Sequence, residues 1–164
     1  ARLRYLQRDL TSLAQVEQQL AEVEAEMAEL LDLTWGRFLR PTGVAPIRLA
    51  CLVATIGDIQ QYTSARQLFG RSGLYSRCTD SGTRQRRGQG QRIVKPGDRH
   101  LRRQLLRFTW CMLARYPALR RYKAQLCQRG KSKITATIAV ARKLTGIIYA
   151  VATQEVPFDP SHLA

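Results

Sequence analysis

Residues 98–154 read DRHLRRQLLRFTWCMLARYPALRRYKAQLCQRGKSKITATIAVARKLTGIIYAVATQ, and this stretch decides the fold. Leu101, Leu105, Phe108 and Met112 recur at steps of four, three and four, which places them on one face of an α-helix. Arg99, Arg102, Arg103 and Arg107 gather on another side. Asp98 suits the N-cap, because a short carboxylate accepts bonds from the first free backbone N–H groups. Pro117 ends this helix, since proline has no N–H to continue the ladder. A second helix is expected from about Ala118 to Gln128, stopped at Gly130, and a third from about Ser132 to Gln154. In the third, Ile134, Ile138, Ala141, Thr145 and Ile148 are expected to face inward, with Arg142 and Lys143 elsewhere. No apolar run is long enough to build a sheet, so the class is all-α. The tail after Gln154, residues 155–164, is expected to be irregular.

Upstream lies RSGLYSRCTDSGTRQRRGQGQRIVKPG, residues 71–97, rich in Gly, Ser and Arg. Its periodicity is weak, and it reads mostly as loop with a short extended piece near Gln91–Val94. A loop this long inside a compact domain is either functional or disordered. Before it, Thr63 or Ser64 can cap a short helix running through Leu68 and stopping near Gly70. An apolar helix, IRLACLVATI at 47–56, starts behind Pro46 and stops at Gly57. Pro41, Gly43 and Pro46 punctuate the turn that leads into it. Such a turn at a helix start presents free N–H groups to an anion, as in helix-hairpin-helix modules. Gly43 is therefore a candidate backbone phosphate contact, although a plain helix-entry turn fits the same residues.

The first 33 residues read as one long helix. Leu3, Leu6, Leu10, Leu13, Val16, Leu20, Val23, Met27 and Leu30 form a heptad-like seam with one irregular step, and glutamates coat the other faces. A narrow apolar stripe on a polar helix cannot bury itself. Its persistence over nearly four heptads favours a coiled coil over an amphipathic helix laid on its own domain. The expected organisation is a dimerisation helix at 1–37, a helical domain at 38–154 and the tail.

Charge points to the partner. Residues 1–40 hold 5 basic and 7 acidic side chains, whereas residues 41–164 hold 22 basic and 5 acidic. Between 84 and 143 there are 18 basic residues against Asp98 alone. A polyanion is the natural partner for such a density, because each phosphate neutralised releases condensed counterions. The arginines lack the Trp or Phe wedges of an interfacial helix, which argues against a membrane surface, and no charged-then-apolar signal segment opens the chain. Cys51, Cys78, Cys111 and Cys127 lie far apart without a C-x-x-C pair, which fits neither a zinc finger nor a secreted disulfide framework. Reduced thiols in an intracellular protein are expected.

Few residues could carry chemistry. Beyond residue 40 the acids are Asp58, Asp80, Asp98, Glu155 and Asp159, too scattered for a two-metal site, and neither His100 nor His162 has a ligand partner at useful spacing. No metal or cofactor is expected in this chain. Ser81 stands in Asp80-Ser81-Gly82, followed by Arg84, Arg86 and Arg87. A serine hydroxyl needs a base or nearby positive charge to act as a nucleophile. Guanidiniums can grip a phosphodiester and offset its developing charge. On residue types alone, a structural Ser-Gly turn accounts for this stretch as well.

The order of residues adds to this. Thr42-Gly43-Val44-Ala45-Pro46, Ile56-Gly57-Asp58, Ser64-Ala65, Gly73-Leu74 and Ser81-Gly82 follow one another, then Lys95-Pro96-Gly97-Asp98, Leu101-Arg102-Arg103-Gln104-Leu105 and Ala139-Val140-Ala141-Arg142-Lys143-Leu144. Over roughly residues 38–153 the chain resembles the C-terminal domain of the insertion-sequence transposases known as RNA-guided bridge recombinases. Ser76 stands where that family usually has a proline.

The resemblance implies a larger protein, with an upstream RNase-H-like domain bearing four acidic residues and the magnesium. A coiled coil then joins subunits, here through residues 3–30. It implies that Ser81 attacks DNA to give a covalent phosphoserine link. It implies a noncoding guide RNA that pairs with donor and target DNA. Arg84, Arg86, Arg87, Arg92, Lys95, Arg99, Arg102, Arg103, Arg142 and Lys143 would contact nucleic acid, with Gly43, Gly82 and Gly97 giving close backbone approach. A cytoplasmic, nucleoid-associated protein of a bacterium or archaeon, without a membrane partner, is the corresponding expectation.

Overall fold

The structure is a computed structural model that describes residues 2–74 and 97–163. Among the described residues all regular structure is helical, with no strand. The long helix α1, Arg2–Asp32, is followed by a 3-10 helix, Trp35–Thr42, and by α2, Pro46–Ile56. A 3-10 turn at Ile59–Gln61 leads to α3, Ala65–Arg71. Then come α4, Arg99–Arg115, α5, Pro117–Gln128, and α6, Lys133–Gln154, with a last 3-10 turn at Pro160–Leu163.

The helix ends follow their capping chemistry. Ser64 Oγ accepts from Gln67 N, while Gln67 Oε1 reaches back to Thr63 N at 2.6 Å, so two unpaired donors are satisfied reciprocally. Ser132 Oγ accepts from Thr135 N at 3.2 Å and opens α6. Pro46 and Pro117 take first-turn positions where no N–H is missed.

One apolar core joins α2, α3, α4 and α6. Leu49, Leu52, Leu68, Leu101, Met112, Val140 and Ile148 are fully buried within it. The buried threonines Thr109, Thr137 and Thr145 donate to the carbonyl four residues back, so their methyl faces serve as core. By length and composition α6 is apolar enough to cross a membrane, yet its apolar side is spent on this core.

Three expectations are corrected. Residues 35–42, where no element is expected before the turn at Pro41–Pro46, form a 3-10 helix: Thr34 caps it, Leu39 is fully buried, and Pro41 fits its last turn. Ile134 is 68% exposed, because the Ser132 cap starts α6 one turn before it reaches the core, and the inward face begins at Ala136 and Thr137. The tail carries a 3-10 turn and is packed: Phe158 and Leu163 are buried, and Phe158 N donates to Phe38 O at 2.9 Å.

α1 joins the core by its last turn alone. Leu31 is buried, and Gly36 passes so close that a Cβ there would stand 2.3 Å from Leu31 Cδ1. Arg40 holds the end of α1 with both a bidentate contact to Asp32, at 2.9 and 2.7 Å, and a bond to Ala28 O. Apart from half-buried Met27, the rest of the seam lies open, from Val23 at 50% exposure to Leu3 at 76%.

Candidate nucleic-acid interface

The two described segments meet where residues 75–96 begin and end. Asp98 N donates to Arg71 O at 2.7 Å, which ties the start of α4 to the end of α3. Gly97 (φ 145°) lies so near Gly73 that a Cβ at 97 would stand 2.8 Å from the Gly73 Cα and N. A side chain there is excluded both by the backbone conformation and by the neighbouring backbone. Gly97 is thus explained first by this crossing.

Asp98 is the electrostatic hinge of the junction. Its Oδ1 accepts from His100 N at 2.8 Å and Leu101 N at 3.0 Å, and Arg71 Nη2 lies 3.5 Å from Oδ2. The Leu101 N–H foremost, then the His100 N–H and the Arg71 guanidinium, hold its carboxyl below the ordinary range against a desolvation that works the other way.

Beside the junction, α3 and α6 border an open groove of about 760 Å³. Its lining includes Tyr62, Phe69 and Gly70 together with Arg66, Arg71 and Arg142. Arg71 also donates to the Tyr62 hydroxyl, which in turn donates to Ile56 O at 3.1 Å. Tyr149 Oη donates to Tyr62 O at 3.0 Å, so Tyr62 locks α3 to α6. The Arg142 guanidinium carbon lies 6.0 Å from the centre of the Phe69 ring.

The residues expected to contact nucleic acid divide among four places. Ser81, Gly82, Arg84, Arg86, Arg87, Arg92 and Lys95 lie outside the described residues. Arg99 and Arg103 are exposed on the first turns of α4, where the positive helix end adds to their charge, and Arg102 is half-buried beside them. Arg142 faces the groove. Its neighbour Lys143 turns the other way: Nζ donates to Leu163 O at 3.0 Å and lies 5.3 Å from the Tyr122 ring, which anchors the tail. At the fourth place, Gly43 (φ 68°) ends the 3-10 helix, and Arg115 Nη1 donates to its carbonyl at 2.5 Å.

Sequence spacing did not single out Arg66 and Arg71. The local signal for them was present, two arginines on a capped seven-residue helix, but their meeting with Arg142 is a product of the tertiary fold.

Among the described residues no three His, Cys, Asp or Glu side chains come together. Asp58 accepts from Gln60 N, Asp98 caps α4 and Asp159 accepts from Ser161 N. Each of these three carboxylates accepts from backbone N–H groups at a helix or turn start.

The sequence profile of the transposase IS116/IS110/IS902 family matches residues 37–124. A pilin gene-inverting protein of Moraxella lacunata is 34% identical over 118 residues, which span 71% of this chain and 36% of that protein. A probable family 20 transposase of Pseudomonas aeruginosa is 29% identical over 161 residues, 90% of this chain and 46% of that one. An IS110 insertion-element protein of Streptomyces coelicolor is 27% identical over 146 residues, 86% of this chain and 35% of that one. The chain therefore spans between about a third and a half of the length of these relatives.

Proposed function

Because the chain belongs to the transposase IS116/IS110/IS902 family, whose profile matches more than half of it, we propose that it supplies the attacking nucleophile of a DNA recombinase, and that the nucleophile is Ser81. Ser81 Oγ attacks a DNA phosphorus. The Oγ–P bond forms as the bond from phosphorus to one sugar oxygen breaks. The serine proton leaves to a base or solvent, the departing sugar oxygen takes one up, and the strand stays joined as a phosphoserine ester. One phosphodiester replaces another, so a second strand's hydroxyl can reverse the attack without an outside energy source. Arg84, Arg86 and Arg87 offset the charge that builds on the phosphoryl oxygens.

In the same reading a noncoding guide RNA selects the DNA. The flanking cations, from Arg92 and Lys95 to Arg99, Arg102 and Arg103, hold nucleic-acid backbone, with the Gly43 turn as a further contact. Two copies associate through the seam of α1.

The observation that carries the proposal is that the family match runs through Asp80-Ser81-Gly82, while the two flanking ends are pinned together beside three guanidiniums. The test uses the full-length protein with its DNA and guide RNA. A protein–DNA adduct that survives denaturing electrophoresis is expected, lost in Ser81→Ala with DNA binding retained. Equal strand transfer by Ser81→Ala overturns the assignment. Salt-sensitive binding without any adduct leaves a coiled-coil-dimerised DNA- or RNA-binding module.

A further inference from the structure

We infer that the groove between α3 and α6 is a phosphodiester-binding subsite, with Arg66 and Arg142 as its phosphate contacts and Arg71, braced by Asp98 and Tyr62, as a third cation beside them. The inference rests on the reading of the chain as part of a recombinase, and it adds residues and a ligand chemistry to that reading.

Three features of the groove support it. The first is charge. Arg66, Arg71 and Arg142 line the groove, and among the described residues no carboxylate does. Asp98, which pairs with Arg71, is committed to the α4 cap and to that arginine. Arg66 and Arg142 form no hydrogen bond or ion pair with any described residue, so their guanidinium donors face solvent at a site of net positive charge. Such a site is completed by an anion that can accept planar, paired donors, which is what a phosphate offers.

The second feature is preorganisation. Arg71 is held from two sides, by Asp98 Oδ2 and by the Tyr62 hydroxyl, and its guanidinium carbon lies 5.7 Å from the Tyr62 ring centre. The Arg142 guanidinium carbon lies 6.0 Å from the Phe69 ring centre, at the reach of a cation–π contact. Part of the side-chain entropy that binding would cost is therefore already lost in the free protein.

The third feature is room. The groove is partly open to solvent, and its volume of about 760 Å³ is more than a single anion fills. At Gly70, one of the lining residues, a built Cβ meets nothing within 4 Å, so the space there is open. A partly open cationic groove of this size has room for a phosphodiester together with its flanking sugars, that is, for a segment of nucleic-acid backbone. DNA and RNA share that chemistry.

Because Gly70 is sterically unconstrained, it gives a variant that folds and yet fills the groove. The experiment measures binding of the full-length protein to labelled DNA and, separately, to labelled RNA across a salt series. It compares Arg66→Gln with Arg142→Gln in one double variant, Gly70→Leu, and a charge-matched control, Arg8→Gln with Arg37→Gln.

With two phosphate-gripping guanidiniums removed, the slope of log affinity against log salt is expected to fall by about 2, and affinity at about 0.1 M salt by at least about tenfold, with the control unchanged. Gly70→Leu is expected to weaken binding with its melting temperature maintained. Loss on DNA alone or RNA alone identifies the source of the backbone, and loss on both assigns the groove to their shared chemistry. Binding by both groove variants that equals the control overturns the inference. The outcomes separate from those of the serine proposal: an adduct at Ser81 with unaltered groove variants sinks the groove alone, and weakened groove variants without any adduct sink the serine alone.

Discussion

Replacing Leu13 and Leu20 by alanine tests whether α1 has a helical partner. The two leucines lie one heptad apart on the seam and are 54% and 53% exposed. Fully burying a leucine side chain contributes about 1.5–3 kcal/mol, and roughly half of that surface is still available here, so pairing gains about 1 kcal/mol per leucine. Two leucines in each of two copies give about 4 kcal/mol. Alanine keeps a methyl group, which leaves a loss of about 3 kcal/mol, or roughly a hundredfold in dissociation constant. Alanine is also the best helix former, so the helix itself should persist.

Sedimentation equilibrium of the full-length protein measures the constant, and far-UV circular dichroism checks that helicity is retained. Glu17→Ala with Glu24→Ala, off the seam, should leave association nearly unchanged. A double leucine variant that associates as tightly as the parent, with its helix intact, refutes the reasoning and leaves α1 a solvated helix.

Three further outcomes follow from the packing. Gly97→Ala forces a Cβ into the Gly73 backbone at a positive φ and should cost about 3 kcal/mol in urea unfolding. A change within about 0.5 kcal/mol would mean that the crossing yields to a side chain. Phe158→Ala should also cost about 3 kcal/mol and expose the tail to proteolysis, since this ring is 3% exposed and packs edge-on against Tyr116 at 5.9 Å. Asp98→Asn keeps a capping oxygen and removes the titration. The folded carboxyl lies below its ordinary 3.8, so its stabilisation is full above that value and is lost as pH falls through the lower, folded one. The parent should therefore lose more stability than Asp98→Asn between about pH 5 and pH 2 in urea unfolding; parallel curves would show that Asp98 is not the group responsible.

Local chemistry made much of this fold legible. Asp98, Ser64, Ser132, Pro46 and Pro117 each do what their side chains allow at a helix start, and the 4-3-4 steps from Leu101 to Met112 mark the face that is buried. The misses lie where distance along the chain and distance in space part company. Phe158 sits in a Pro-rich tail without periodicity, and what buries it is Tyr116 and the Phe38 carbonyl, far away in sequence. Ile134 has the right spacing for the core but lies on a turn that overhangs it. Arg142 and Lys143 look alike as neighbours in sequence. A helix turns about 100° per residue, and that sends one to the cationic groove and the other to the tail. Of the candidate site, Ser81 and its arginines rest on motif order and family, whereas Arg66 and Arg71 emerge only when α3 is folded against α6.

The most direct test of the account is the site of attachment itself. The full-length protein is incubated with guide RNA and DNA, quenched in denaturant, digested with nuclease and trypsin, and read by tandem mass spectrometry. A nucleotide remnant on Ser81 is the predicted result. Recombinant DNA product with the remnant on another residue, or with no protein-linked nucleotide at any stage, contradicts it.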